Sequence, residues 1–400
     1  MPASPTTVWK SAEDALIAGD ARELERLLRE HEELFRTGQP PAYNAGGLAP
    51  DYAGGDAQAI IARNHDFENW DQCAAHLQAL TQPDSPVARF EAAVDAIVGG
   101  DAATLARLLK DDPVLVRARS TRQHHATLLN YVGANGVESH RQQTPQNAVA
   151  IARMLLDAGA EIDATGDMYG GTTTLGLVAT SIHPLQAGVQ NALIDFLIER
   201  GASLDRAVAP DYRNGNLIDS CLANARPEAA AFLAEHGAPL TLTGAAGAGR
   251  LDAVETFFDE TGQPKSAVSR HELLEALGWA STYGRTPIVE FLLRHGVDPA
   301  AKLPGDLHTA LHAAAVGGHA DIVKLLLDRS VPLETLDGTY ENTPLGWALY
   351  GWSVAPARDR ERFHAVARLL VNAGATVKHD WVEWDLLRDD PQMLAALGRR

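Results

Sequence analysis

One stretch of this chain restricts its fold more than any other. Thr309-Ala310-Leu311-His312-Ala313-Ala314-Ala315-Val316-Gly317-Gly318-His319 is followed, after Ala320, by Asp321-Ile322-Val323-Lys324-Leu325-Leu326-Leu327. Alanine and leucine favour helix on both sides, and the Gly-Gly-His step between them is a turn signal. The leucines of the second segment fall on one face. A helix pair this short cannot bury its apolar face by itself, so it must stack on neighbours of its own kind.

The neighbours are present. Aligned on the inner-helix leucine and the glycine after the outer helix, seven units appear. Their inner positions are Leu129, Leu175, Ile218, Leu242, Leu277, Leu311 and Leu345, and their ends include Leu155-Leu156-Asp157-Ala158-Gly159-Ala160, Phe232-Leu233-Ala234-Glu235-His236-Gly237-Ala238 and Leu369-Leu370-Val371-Asn372-Ala373-Gly374-Ala375. The unit at Leu242, with Gly249, Val254 and Phe257-Phe258, is the weakest. The Thr-x-Leu-His start, Gly-His turn, Leu-Leu pair and Gly-Ala end resemble the ankyrin repeat, from about Asp95 to Ala375. The resemblance implies an all-α ankyrin-repeat solenoid whose helix-turn-helix units are joined by short β-hairpin loops.

Ahead of the stack, Asp14 to Leu28 parallels Asp95 to Leu109 through a shared Gly-Asp turn and a Leu-x-x-Leu-Leu stripe. Gly38 to Asp56 reads as a Gly/Pro-rich loop. Gln58 to Leu80 reads as amphipathic helices burying Ile60, Ile61, Phe67, Trp70, Leu77 and Leu80. These give a helical N-terminal region over 1–85 and a repeat domain over 86–400. Trp381, Trp384, Leu386, Leu387, Met393, Leu394 and Leu397 predict a capping helix in 376–400.

The chain carries 52 acids against 34 bases, a formal net charge of -18. No Lys/Arg cluster stands out, which argues against a nucleic-acid partner. Two distant cysteines, Cys73 and Cys221, exclude a disulfide framework, and Cys221 reads as a small core residue. The start lacks a signal-peptide pattern, and no apolar run approaches membrane-spanning length. The expectation is a cytoplasmic, bacterial-type, stand-alone repeat protein with no membrane partner; the sequence leaves its oligomeric state open.

Regular units span nineteen residues from inner leucine to terminal position, as in Leu311 to Ser330, Leu277 to Gly296 and Ile218 to Gly237. Leu129 to Gly159 has eleven extra, Leu175 to Gly201 seven and Leu345 to Gly374 ten. All three insertions lie between the inner and outer helices. Repeat insertions gather on one face, which often binds, although loops also lengthen at little cost.

The resemblance places hairpin tips and inner-helix ends along a concave groove. Carried over by position, these are Tyr169, Asp211, Tyr212, His308 and Tyr340 at the tips and Tyr283 and Tyr350 at helix ends, with Trp279 and Trp347 following the His position. They form the candidate binding set, since tyrosine and tryptophan pair an apolar body with a polar edge. His308 and His312 have metal-ligand spacing, but the family uses the His312 position to brace the turn. No His-Glu-x-x-His, Cys-x-x-Cys or Gly-x-Ser-x-Gly occurs, so neither metal nor cofactor is expected. His124-His125, His140, Asp167, Tyr169 and His183 form a polar set that repeat upkeep does not explain, and His125, Asp167, Tyr169 and His183 are the candidates for proton transfer. A hydrogen-bonded hairpin network is their plainer explanation. Two readings compete. The first is a scaffold that holds a protein partner in the groove. The second is a cofactor-independent enzyme (isomerase, cyclase or hydrolase) or a small-molecule binder near the first two repeats.

Overall fold

The computed structural model describes residues 8, 11–12, 14–15, 21–30, 62–63, 65–134, 138, 141–208, 215–305, 308–379, 381 and 384–398. The chain divides into two compact units, Met1–Leu217 and Ile218–Arg400. Among the described residues the regular structure is helical, apart from isolated antiparallel bridges at Arg119–Thr127, Thr165–Thr173, Phe258–Pro264 and Lys302–Thr309. Three of these bridges end on the threonine that opens an inner helix, so the expected hairpin loops are there.

In the first unit Leu24, Leu27, Phe67, Cys73 and Leu77 share one apolar cluster, with Trp70 and Leu80 at its edge. Ile60, Ile61 and the Gly38 to Asp56 loop lie outside the described residues. The Gly-Asp turn joins helices Pro86–Gly99 and Ala102–Asp111. Gly100 takes a left-handed φ of 74°, and the Asp101 carboxylate accepts the Thr104 N–H at 3.0 Å. The first repeat's inner helix, Leu128–Gly133, is a tight 3-10 turn. Its outer helix is Ala148–Asp157. The second repeat comprises Thr174–Thr180 and Gln190–Glu199, and its insertion folds into a further short helix, Ile182–Gln186.

The second unit begins within helix Leu217–Ala223 and continues through inner helices Leu242–Ala248, Arg270–Thr282, Ala310–Gly317 and Pro344–Val354. Leu242, Leu277, Leu311 and Leu345 lie in one shared interior, each no more than 1% exposed. Leu129 and Leu175 are equally buried in the first unit. Cys221 is buried, as read from its sequence setting. The C-terminal cap is two short helices, Asp385–Arg388 and Pro391–Ala396, because Pro391 starts a new helix. Trp381, Leu387, Met393 and Leu397 enter the core, while Trp384 and Leu386 stay exposed. Asp390 secures this cap by accepting from Trp352 Nε1 at 3.0 Å, His364 Nε2 at 2.8 Å and the Met393 N–H at 2.9 Å.

Neighbouring repeats are tied at the residue after the inner leucine. His312 Nδ1 accepts the Thr309 N–H at 3.1 Å, which leaves Nε2–H to donate to the Asn342 carbonyl of the next hairpin at 3.2 Å. Asn130 does the same work in the first repeat: its Oδ1 accepts the Thr127 N–H at 2.9 Å, and its Nδ2 donates to the Ala164 carbonyl at 3.2 Å. Asp219 accepts the Thr241 hydroxyl at 2.9 Å. Burial pushes the His312 pKa down to about 4, against the opposing pull of the Asn342 carbonyl.

Between pH 6.5 and 4 the folded unit therefore binds fewer protons at His312 than the unfolded chain does, so stability falls as pH falls through that window. His312→Ala should lower stability by about 1–3 kcal/mol, since it strands a buried N–H and a carbonyl. His312→Asn, the residue the first repeat already uses, should keep most of the stability at neutral pH and flatten its acid dependence. Urea midpoints of the three proteins at pH 7 and pH 4.5 check both outcomes.

Candidate functional site

The hairpins of the first two repeats bring two of the proton-transfer candidates together. His125 Nδ1 lies 2.6 Å from Asp167 Oδ2. Arg119 clamps the same tips through the carbonyls of His125 at 2.9 Å and Thr165 at 2.7 Å, and the Asp167 N–H donates to the His124 carbonyl at 2.6 Å. His125 and Tyr169 have φ of 42° and 51°, a left-handed conformation uncommon outside glycine. The His125 and Asp167 side chains are 52% and 68% exposed, so nothing walls the pair off from water. Tyr169 is exposed as well. His183 is not part of the pair: it sits half-buried in helix Ile182–Gln186, its N–H held by Ser181 Oγ at 3.2 Å. His140, Asp211 and Tyr212 lie outside the described residues. Among the described residues no cluster of His, Cys, Asp or Glu could hold a metal ion.

The binding candidates of the second unit form two aromatic groups. Trp279 and Tyr283 stack with centroids 5.7 Å apart and planes 2° from parallel, and the Tyr283 hydroxyl donates to the Leu222 carbonyl. His308 stacks on Trp347 at 4.9 Å, and His312 meets the same indole edge-on at 5.4 Å. Trp347 Nε1 donates to Asp337 Oδ2 at 3.0 Å. Asp337, which the sequence reading passed over, is a hub: it also accepts the N–H groups of Thr339, Tyr340 and Asn342. Burial would raise its pKa, but these donors outweigh burial and hold it at about 2. Its sequence signal was the Asp337-Gly338 turn pair. Tyr340 and Tyr350 project from this group, 73% and 60% exposed.

One recess has a volume of about 790 Å3 and is bordered by Gly262, Arg270, Leu273, Arg294 and His295. None of the candidate residues lines it.

Sequence reasoning missed an ionic cluster inside the first unit. The insertion between Leu129 and Gly159 reads as a polar loop, yet Glu138 and Arg141 are buried. Arg122 donates to Glu91 Oε1 at 3.0 Å, and Arg141 donates to Glu91, to Glu138 Oε2 at 2.8 Å and to Asp95 Oδ1 at 2.7 Å. Tyr131 donates its hydroxyl to Glu138. His124 Nδ1 accepts the Ala126 N–H at 3.0 Å, so its Nε2 carries the proton given to Glu138, also at 3.0 Å. Burial would raise the Glu138 pKa, but Arg122, the His124 hydrogen bond and Arg141 outweigh it and hold it well below the carboxylate range. Burial, and then Arg122, push His76 down to about 4. The available signals were Glu91 on an otherwise apolar helix face and the opposite charges of Glu138 and Arg141 three apart. Two carboxylates against two guanidiniums leave the interior neutral, and Glu138 and Arg141 of the insertion supply half of the four groups.

Removing one member of such a buried set strands its partners, so Glu138→Ala should cost roughly 3–5 kcal/mol. His125→Ala, which breaks only the exposed pair, should cost less than about 1 kcal/mol. Denaturant titration followed by circular dichroism separates the two.

Residues 277–380 match the family model for ankyrin repeats (3 copies). No curated protein matches the chain. Among solved structures, the crystal structure of the human ASB11 ankyrin repeat domain is similar at 19% identity, covering 72% of this chain and 99% of that one with a TM-score of 0.36. No helix among the described residues is long and apolar enough to cross a membrane. The family match falls on the three repeats whose leucines share one interior and one of whose joins runs through His312, and residues 277–380 are ankyrin repeats.

Proposed function

We propose that the second unit holds a partner protein on the face that carries Tyr340, Trp347 and Tyr350, with His308, Trp279 and Tyr283 as flanking contacts. One observation carries the reading: two tyrosines stand exposed beside an indole that is fixed from several directions. Trp347, Tyr350 and Val354 fall at i, i+3 and i+7 of helix Pro344–Val354 and so share one side of it. Val354 is 63% exposed. Aromatic anchors on a rigid frame lose little conformational freedom when covered, which is what a binding hot spot requires. Ankyrin repeats in general serve as protein-interaction modules, and the proposal assigns that role to these residues.

The second reading, a cofactor-independent enzyme or a small-molecule binder at the first two repeats, has one observation in its favour, the His125–Asp167 pair. The exposure of that pair weighs against it, because proton-transfer sites gain their strength by excluding water.

Tyr340→Ala with Tyr350→Ala should reduce capture of the partner at least roughly tenfold, the loss of one modest hot spot. Both side chains are exposed, so the melting temperature should barely move. Tyr169→Ala, on the first unit, should leave capture intact. Quantitative cross-linking from one extract with the three proteins checks this, and undiminished capture by the double variant removes the face from consideration.

A further inference from the structure

We propose that the recess between the hairpin 258–264 and the chain at 294–298 is a binding site for a small organic anion with an apolar body, such as an aryl phosphate. At about 790 Å3 it falls within the range of small-molecule sites. Two arginines border it, and neither has an acidic partner among the described residues. Among the described residues the Arg270 side chain makes no ion pair or hydrogen bond, and the Arg294 side chain makes only a 3.4 Å contact to the Glu290 carbonyl one turn earlier. Some other surface arginines are answered by acids, as Arg250 is by Asp252 at 2.6 Å and Arg200 by Asp157 at 2.7 Å, but these two guanidiniums border one recess. In a chain with 52 acids and 34 bases, two unanswered guanidiniums on one recess are an excess of positive charge where the composition predicts the reverse. An oxyanion is the group that guanidinium forks complement.

The rest of the lining fits the same ligand. Leu273 and Leu274 provide apolar surface. His295 is fixed, its Nδ1 bonded to the Phe291 carbonyl at 2.7 Å and its ring packed against Phe258 and Phe291. The Nε2 edge lies over Gly262, where a Cβ would come within 2.9 Å. The one carboxylate in the lining, Asp298, has its Oδ1 occupied by the Ala300 N–H at 2.9 Å. The N-terminus of helix Arg270–Thr282 is closed by its own Ser269–Glu272 capping box, so the anion's partners are the guanidiniums.

The test is calorimetric titration of the full chain with 1-naphthyl phosphate, inorganic phosphate and uncharged 1-naphthol. The expected result is saturable binding of 1-naphthyl phosphate with Kd below about 1 mM, and at least roughly tenfold weaker binding of the other two. Arg270→Gln with Arg294→Gln should weaken 1-naphthyl phosphate at least about tenfold with an unchanged circular dichroism spectrum. Absence of binding, or binding indifferent to the double substitution, overturns the site. A short phosphotyrosine peptide that bound roughly tenfold tighter than 1-naphthyl phosphate would overturn the small-molecule assignment in favour of a phosphorylated protein segment.

Discussion

The structure depends on how the residue after each inner leucine meets the next hairpin. In three repeats it is polar and bridges, Asn130 to the Ala164 carbonyl, Asp219 to the Thr241 hydroxyl and His312 to the Asn342 carbonyl. In three other repeats it is glycine, and at two of these, Gly176 and Gly278, the next hairpin moves into the space. A Cβ at Gly176 would lie 2.0 Å from the Ala207 carbonyl oxygen, which instead accepts the Thr173 N–H at 3.0 Å; a Cβ at Gly278 would lie 2.8 Å from Leu303. The two solutions serve one need. A short hairpin has backbone groups it cannot satisfy alone, and burying them unpaired would cost more than the stack gains. The leucine stripe supplies the drive to stack, and this position sets the register.

That division explains what was legible. Leucine, the turn glycine and the capping threonine act within one repeat, so a one-dimensional pattern contains them: Leu311, Gly318 and Thr309 identify their roles by spacing alone. The hairpins ahead of Thr127, Thr173 and Thr309 were expected only through the resemblance to the ankyrin repeat. The first repeat's 3-10 inner helix was not legible. Gly133 allows Leu177 of the next repeat to come within 2.8 Å of where a Cβ would be, and this is a contact between elements more than forty residues apart.

The ionic cluster was hidden by the same logic. Glu138 and Arg141 stand in a stretch of Ser, His and Gln that by composition belongs on a surface. Their partners Glu91, Asp95 and Arg122 are distant in sequence and lie on a helix and a hairpin tip. Burying ions is favourable only when all of them arrive together, so no single residue advertises it. Glu138 and Arg141 of the long insertion are therefore explained by the charges they meet inside the first unit. His125 and Asp167 were legible as neighbours because the repeat period itself juxtaposes successive hairpin tips.

The contrast between His312 and Tyr340 shows why candidate function is harder to read than fold. Both lie near Trp347, and Asp337 touches the indole and the Tyr340 backbone alike. His312 is wholly buried, so its chemistry is used up in holding the stack. Tyr340 is held at its backbone while its ring remains in solvent. A rigid backbone under a free aromatic ring is a costly arrangement to maintain by chance, because exposing the ring forgoes burial that a neighbouring repeat could have supplied. That forgone burial is the physical ground for proposing Tyr340 as a contact, and it becomes visible only once side-chain exposure is known, since the repeat pattern assigns the tip position without fixing which way its residue faces.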